Sequence, residues 1–181
     1  MKRLIIITGD LAAGKSTLAD LLSRKLEMLA IKKDVIKEKL CDVFDYKDRE
    51  ENKKLSVAAV SEMIEIYKQI ILYGGDLILE ANFHGDEMKE IYSLSKDNNY
   101  DVKLLYLTCD DKTLFERFKS RIPTRHKAHM SMGLDKDYDK FCAYIKSLRN
   151  DEYIFEKNII DTSRLSREEV LITALKIVNK E

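Results

Sequence analysis

The nine residues Gly9–Thr17 constrain this chain more than any other part of its sequence. They read GDLAAGKST, a full match to the pattern GxxxxGK[ST], and they follow the apolar run Leu4–Ile7. A strand, a glycine-containing loop and a helix in this order form a cradle for phosphate groups. Glycine permits close backbone approach, and the N–H groups at a helix N-terminus attract anions. The sequence therefore predicts a site for a nucleoside triphosphate.

The residue types of this loop predict separate roles at the site. Lys15 carries a positive charge that reaches the β- and γ-phosphates, and the Ser16 hydroxyl is a ligand for Mg²⁺. The alternative is a glycine-containing turn with a solvated lysine, which we disfavour because the motif lies between a strand and a helix. We expect ATP and magnesium as cofactors. The expected nucleotide-binding residues are Gly9, Asp10, Leu11, Ala12, Ala13, Gly14, Lys15, Ser16 and Thr17.

Strand patterns alternate with helical patterns along the whole chain. Short apolar runs predict strands at residues 4–7, 30–32, 77–79, 102–108 and 158–160. Helical periodicity predicts helices at 16–29, 36–44, 55–72 and 136–148, one capped by Asp110 or Asp111, and a last one that begins after Ser166. Such alternation predicts an α/β fold in three α/β/α layers with a mainly parallel five-stranded sheet, and with the phosphate loop it indicates the P-loop NTPase fold. At 181 residues the chain is expected to form one domain, 1–181.

The composition narrows the classes of partner. Lys+Arg and Asp+Glu are both 32, so the formal net charge is zero, which disfavours a nucleic-acid coat or a polybasic membrane binder. The run Leu4–Ile7 is much shorter than the ~20 residues that a membrane span needs. Three scattered cysteines fit neither a disulfide framework nor a CxxC metal site. We expect reduced thiols and a cytoplasmic protein, monomeric or homodimeric.

One segment departs from the neutral balance of the chain. Residues 112–129 contain six Lys and Arg residues and a single acid, Glu116. A charge run of this kind is usually a solvated face. Beside a phosphate loop, we instead expect an arginine-rich lid over about 117–134, which becomes ordered when ATP binds.

Three arginines of this lid recur every four residues, so they share a face on a helix. Pro123 breaks that helix, so Arg125 is expected in a loop with two histidines. Arg121 and Arg125 are expected to contact the transferring phosphoryl group, because a guanidinium binds its oxygens bidentately. Arg117, at the start of the lid, is placed to stack on the adenine.

Two carboxylates follow predicted strands and are candidates for acceptor and metal chemistry. Asp34 comes just after the second strand, where it can take a proton from an acceptor hydroxyl or cap the next helix, and the two roles are compatible. Glu80 ends the third strand, where it either holds the water shell of Mg²⁺ or pairs with a lysine. The ligand of such a sheet is expected at the carboxyl ends of its strands.

Five segments together carry a family resemblance. In order along the chain they are Gly9–Thr17, Lys33–Glu38 with Leu40 and Asp42, Leu79–Phe83, Arg125-His126 and Asp161-Thr162-Ser163. They resemble the small P-loop kinases that are grouped with AAA-type ATPases, similar to chloramphenicol phosphotransferase, zeta-toxin kinases and the kinase half of polynucleotide kinases. Many of these relatives carry aspartate where this chain has Glu80.

The resemblance implies ATP-dependent transfer of a phosphoryl group to a hydroxyl. It implies that Asp34 is the base, that the lid is built on Arg117 to Arg125, and that a base pocket lies near Asp161 and Thr162. The expected acceptor is a small hydroxylated molecule. Two other functions stay open: a polynucleotide 5′-hydroxyl kinase, which the single basic segment disfavours, and a regulatory protein that binds ATP without useful turnover.

Overall fold

The architecture is an all-parallel sheet covered on both faces by helices. The computed structural model describes residues 1–150 and 153–179. The strands are β1 (Lys2–Gly9), β2 (Leu29–Lys32), β3 (Leu77–Glu80), β4 (Tyr100–Thr108) and β5 (Lys157–Asp161), in the spatial order β2-β3-β1-β4-β5. The predicted α/β fold with five strands is confirmed, and every pairing is parallel.

Seven α-helices connect and cover these strands in the part of the chain that the structure describes. They are α1 (Lys15–Leu26), α2 (Lys33–Val43), α3 (Arg49–Tyr73), α4 (Gly85–Asp97), α5 (Asp111–Arg121), α6 (Tyr138–Arg149) and α7 (Arg167–Val178). A single 3₁₀ turn, Ile122–Thr124, follows α5 and contains Pro123. None of the described helices is long and apolar enough to cross a lipid bilayer.

The sequence predictions missed α4 and misplaced two helix starts. In α4 the buried positions are Met88, Ile91 and Ser95, a spacing of three and four residues that marks one helix face, so the sequence did carry a signal for this helix. Helices α2 and α3 begin three and six residues before the predicted starts, with first turns of charged residues. Asp48 caps α3 by accepting from the Glu51 N–H at 3.0 Å. Apolar periodicity does not register such polar first turns.

Successive residues of the central strand β1 point to opposite faces, and both faces are buried. Ile5 and Ile7 pack in a core with α1, α5, α6 and α7, whereas Leu4 and Ile6 pack in a second core with α3 and α4. All four side chains are fully buried. A sheet buried on both faces explains why the strands read as continuous apolar runs.

The strand register brings the carboxyl ends of four strands to one edge. Glu80 at the end of β3 pairs with Ile7 of β1 and with Lys32, the last residue of β2. Gly9 at the end of β1 pairs with Leu107 of β4. The loop after β1, the start of α2 and the end of β3 therefore meet at a single edge of the sheet.

Backbone contact fixes the loop after β1 against β4. Gly9 has φ of 121°, and a Cβ there would lie 2.1 Å from the Leu107 carbonyl oxygen, so only glycine fits. The next N–H, that of Asp10, donates to the same carbonyl at 2.8 Å. At the other end of the loop Gly14 has φ of 96°, with open space around it. The two glycines thus serve different needs, close approach at Gly9 and backbone conformation at Gly14.

The fully buried Asp10 carboxylate ties the loop to β4 and α6. It accepts from the Tyr106 hydroxyl at 3.2 Å and from the Thr108 hydroxyl at 2.7 Å. Arg149, the last residue of α6, binds it through Nε at 3.0 Å and Nη2 at 2.7 Å. Arg149 also donates to the Cys109 carbonyl at 2.9 Å. Asp10 therefore fixes the loop to the end of β4 and the last turn of α6.

Replacing Arg149 with methionine should lower the free energy of unfolding by about 3 kcal/mol, because Asp10 stays buried without its cation. The expected loss is at the low end of the range for breaking a buried ion pair, since the Arg149 side chain is 34% exposed. Urea unfolding at neutral pH measures the loss. Lys146→Met, at an exposed position of the same helix, is the control and should change stability by less than about 0.5 kcal/mol. Equal stability of the two variants would show that the Asp10–Arg149 pair does not hold the loop.

Candidate active site

Three adjoining cavities lie along the edge where the strands end. The outer cavity, about 300 Å³, lies beside α1, α5 and α7; the central cavity is about 360 Å³; the α3 cavity, about 380 Å³, lies against α2 and α3. Arg121 lines the outer and central cavities, whereas Lys15, Asp34, Glu80 and Arg125 line both the central and the α3 cavities. The three cavities therefore adjoin along this edge of the sheet, and we refer to them together as the cleft.

The phosphate-loop lysine points back across its own loop. Lys15 Nζ donates to the carbonyl oxygens of Gly9 at 2.9 Å and Asp10 at 2.8 Å. Burial lowers the pKa of Lys15, and the carboxylates of Glu80 and Asp34 oppose that shift. The ammonium group thus lies inside the loop that the sequence analysis assigned to phosphates, next to two carboxylates.

The remaining loop residues divide between the cavities. Leu11 lines the central and α3 cavities, Ala13 and Thr17 line the outer cavity, and Ala12 and Gly14 line both the outer and central cavities. Ala12 has φ of 66°, a backbone strain that the tight loop imposes on a non-glycine residue. The loop therefore passes between the outer and central cavities.

Ser16 and Glu80 form a hydrogen-bonded pair in the central cavity. The Ser16 hydroxyl donates to Glu80 Oε2 at 3.0 Å. Burial raises the pKa of Glu80, opposed by the positive charge of Lys15. The lysine pairing considered for Glu80 is not observed, because no described lysine forms an ion pair with it. A hydroxyl and a carboxylate are hard oxygen donors, the type that Mg²⁺ takes beside nucleotide phosphates.

Asp34 lies in the first turn of α2 and faces the cleft. Lys32 occupies the N-cap position of α2, so the helix-cap role considered for Asp34 is wrong. Its carboxylate pairs with Lys33 at 3.1 Å. Burial acts to raise the pKa of Asp34, but Lys33 and His129 outweigh it, and the pKa lies below its ordinary value. Asp34 is therefore an ionised hydrogen-bond acceptor in the cleft.

Arg117 is held by hydrogen bonds at the outer cavity. Its Nη1 donates to the Thr162 hydroxyl and its Nη2 to the Thr162 carbonyl, each at 3.1 Å. Thr162 is buried and lines the same cavity, and its backbone N–H donates to the Thr108 carbonyl at 2.8 Å. The exposed Asp161 instead accepts from the Ser163 N–H at 2.9 Å and lines none of the three cavities. Of the expected base-pocket residues, Thr162 and Arg117 thus border the cleft.

The other two arginines of the basic segment approach the central cavity. Arg121 is the last residue of α5, and Arg125 follows the 3₁₀ turn with its guanidinium 5.3 Å from the centre of the Phe118 ring. The predicted helix break at Pro123 is confirmed. Partial burial lowers the pKa of Arg125, with Arg121 adding to the shift and Asp34 opposing it. Positive charge is thus concentrated opposite the phosphate loop.

Residues 126–129 are tied to α2 by two histidines. His126 Nδ1 accepts from the Ala128 N–H at 3.1 Å, so a neutral ring carries its proton on Nε2 and donates it to Asp42 at 3.0 Å. His129 Nε2 lies 2.8 Å from Glu38 Oε1. Burial lowers the pKa of His129, opposed by the carboxylates around it. The basic segment therefore rests on α2 and closes one side of the cleft.

Sequence reasoning missed several residues that shape this cleft. Arg149 anchors the loop from a distant helix, and no local pattern indicates that contact. Lys37 and Asn52 join α2 to α3 inside the α3 cavity. The spacing of Lys33 and Lys37 by four residues was a usable signal, because such residues share a helix face. Within the described residues no cluster of three or more His, Cys, Asp or Glu side chains could hold a metal ion.

Several solved structures share this fold. A candidate kinase from Chloroflexus aurantiacus is 23% identical, with a TM-score of 0.80 and 98% of this chain and 99% of that chain covered. APS kinase of Mycobacterium tuberculosis, in complex with AMPPNP and APS, is 12% identical with a TM-score of 0.64, covering 99% and 98%. Shikimate kinase from Bacteroides thetaiotaomicron is 18% identical with a TM-score of 0.60, covering 96% and 95%. Because all three sequences are less than 25% identical to this chain, the structural similarity establishes the fold alone.

The sequence of this chain also matches a protein family. No curated protein matches this chain significantly. The family model described as the AAA domain matches residues 5–140, which is well over half of the chain. The match includes the phosphate loop, Asp34, Glu80 and the basic segment. The chain therefore belongs to the AAA domain family, and its fold is that of the small P-loop kinases.

Proposed function

We propose that this protein is a kinase that transfers the γ-phosphoryl group of ATP to a hydroxyl of a small molecule. The observation that carries the proposal is the central cavity, which Lys15, Ser16, Asp34 and Glu80 line together. Phosphoryl transfer requires a phosphate-binding loop, oxygen ligands for a metal ion and an ionised carboxylate close together. This cavity contains all three. The APS kinase structure, which holds AMPPNP and APS, supports nucleotide use in this fold.

In the proposed reaction, Asp34 accepts the proton of the acceptor hydroxyl while that oxygen forms a bond to the γ-phosphorus. The bond between the γ-phosphorus and the bridging oxygen of ADP breaks. Lys15 and the backbone N–H groups of the loop hold the phosphate oxygens. Arg121 and Arg125 stabilise the charge on the transferring group, and preorganised cations of this kind act most strongly where water is excluded.

The donors at the central cavity fit a magnesium ion. Ser16 would be a direct ligand, and Glu80, which accepts the Ser16 hydrogen bond, would hold the water shell. A magnesium ion held by these residues would neutralise part of the phosphate charge. The proposed nucleotide base site is the outer cavity, bordered by Arg117 and Thr162. The lid proposal, over about 117–134, is supported by Arg121 and Arg125, which line the central cavity opposite the phosphate loop.

The two other functions are less well supported. A polynucleotide kinase needs several phosphate contacts along a strand, whereas the net charge of this chain is zero. A regulatory ATP-binding protein needs no ionised carboxylate in an acceptor space, and Asp34 has that position. We further propose a single domain and a cytoplasmic protein, a proposal that the free thiols of Cys41, Cys109 and Cys142 support.

Asp34→Asn should reduce acceptor-dependent ADP release by about 10²–10⁴-fold, because the amide cannot accept the hydroxyl proton. Affinity for AMP-PNP, measured by calorimetry, should stay nearly unchanged. Asp139→Asn is the matched control, since Asp139 is exposed on α6 and lines none of the three cavities. If lost nucleotide affinity accounts for the entire fall in turnover, Asp34 acts on the nucleotide rather than as the base.

Glu80→Gln should raise the Mg²⁺ concentration at half-saturation by about 10–100-fold, the usual effect of losing a hydrogen-bonded partner of a metal ligand. A titration of nucleotide affinity against Mg²⁺ measures this change. Glu90→Gln, on the exposed face of α4, is the control. An unchanged Mg²⁺ requirement in Glu80→Gln would limit this residue to fixing Ser16 at the start of α1.

A further inference from the structure

The α3 cavity carries more positive charge than the proposed transfer reaction uses. Six Lys and Arg side chains line it against three Asp and Glu. Under the proposed function Lys15 and Arg125 act on the phosphates, while Asp34 and Glu80 serve the hydroxyl and the metal. Glu87 then remains as the single acid among the described lining residues. The cations left without a role are Lys33, Lys37, Arg49 and Lys53.

These four cations come as two pairs on two helices. Lys33 and Lys37 are four residues apart on α2, and Arg49 and Lys53 are four apart on α3. Residues four apart share a helix face, and like charges there destabilise the helix. Asp34 offsets Lys33 at 3.1 Å. The other three face one cavity and form no ion pair with any described carboxylate.

Lys37 is the most buried of these four cations. Its side chain belongs to a residue only 8% exposed, and its Nζ donates to Asn52 Oδ1 at 2.8 Å. Asn52 is neutral, and its own Nδ2 donates to the Ala128 carbonyl at 3.1 Å. No second acceptor for Lys37 occurs among residues 1–150 and 153–179. A buried ammonium group needs an anionic partner or a full set of acceptors, and a ligand in the cavity can supply one.

We propose that the phosphoryl acceptor is an anionic small molecule whose phosphate, sulfate or carboxylate group binds between α2 and α3 at Lys37, Arg49 and Lys53. The inference rests on the proposed function, because it places the acceptor hydroxyl at Asp34 in the same cavity. Ammonium and guanidinium groups bind such anions through charge-assisted hydrogen bonds. A cavity of about 380 Å³ accommodates a metabolite-sized molecule.

A second polar group in this cavity suits a substrate that carries hydroxyl groups. Asn82 Oδ1 lies in the wall of this cavity, is buried, and accepts no hydrogen bond from the described residues. A buried acceptor without a donor is unfavourable. A ligand hydroxyl in the cavity would donate a hydrogen bond to Asn82 Oδ1. The cavity thus offers hydrogen-bond acceptors for ligand hydroxyl groups at one wall and cations for an anionic group at another.

The direct test uses inorganic phosphate as the probe. The protein is first saturated with AMP-PNP and Mg²⁺, so that the phosphate loop is occupied, and amide chemical shifts of α3 are followed during a phosphate titration. We expect saturable binding with a Kd of about 1 mM. In the double variant Arg49→Gln/Lys53→Gln, whose two sites are exposed, binding should weaken by about tenfold or more. Lys54→Gln, an exposed lysine of α3 that does not line the cavity, should bind as the parent does.

Absence of saturable phosphate binding to the nucleotide-loaded protein, or equal binding by the double variant, overturns the inference. Neither result touches the proposed kinase function. Failure of AMP-PNP itself to bind would instead overturn the proposed function, and the acceptor inference with it. The two failures are therefore distinguishable in one experiment.

Turnover on paired acceptors gives the second test. Each pair shares its hydroxyl groups and differs in charge: glycerol with glycerate, ribose with ribose 5-phosphate, and glucose with glucose 6-phosphate. We expect ADP release with an anionic member. The double variant should raise the KM for that acceptor by about tenfold or more and leave the KM for ATP unchanged. A kcat/KM on a neutral member equal to that on its anionic partner would retain the kinase and reject the anion site.

Discussion

The buried Asp10 carboxylate is the interaction on which the rest of the cleft depends. It joins three parts of the chain that are far apart in sequence: the loop after β1, the end of β4 and the last turn of α6. Because Gly9 lies against the Leu107 backbone, the loop has no room to shift toward β4. The backbone N–H groups of the loop are thus held in place before any ligand arrives. That preorganisation is what an anion site requires.

The parallel sheet turns this anchor into an active-site edge. Its register aligns Ile7, Glu80 and Lys32 across three neighbouring strands, so short connections deliver Ser16, Asp34 and Glu80 to a single cleft. The part of the basic segment that follows α5 covers the cleft from the opposite side and contacts α2 through His126 and His129. Charge of both signs therefore surrounds a narrow space, where electrostatic interactions are stronger than in water.

Local patterns in the sequence predicted much of this architecture. The phosphate loop, the five strands and the helix break at Pro123 follow from short-range signals, namely glycine spacing, apolar runs and the missing proline N–H. Helix α4 was missed although its buried residues Met88, Ile91 and Ser95 recur at helical spacing. The contact between Asp10 and Arg149 was missed because it joins positions 139 residues apart. The cap role considered for Asp34 was wrong, since α2 begins earlier than its apolar residues indicate. The charge of the α3 cavity depends on two helices packing together, which one-dimensional periodicity does not reveal.

Transfer to a hydroxyl is distinguished from hydrolysis by the fate of the γ-phosphoryl group. The protein is incubated with Mg²⁺, ATP labelled with ¹⁸O in the γ-phosphoryl group and a pool of small metabolites, and the products are separated by mass spectrometry. We expect a labelled phosphate ester that the parent protein forms and Lys15→Ala does not, because Lys15 lies within the phosphate loop. Label that appears in inorganic phosphate and in no ester would contradict transfer to a hydroxyl.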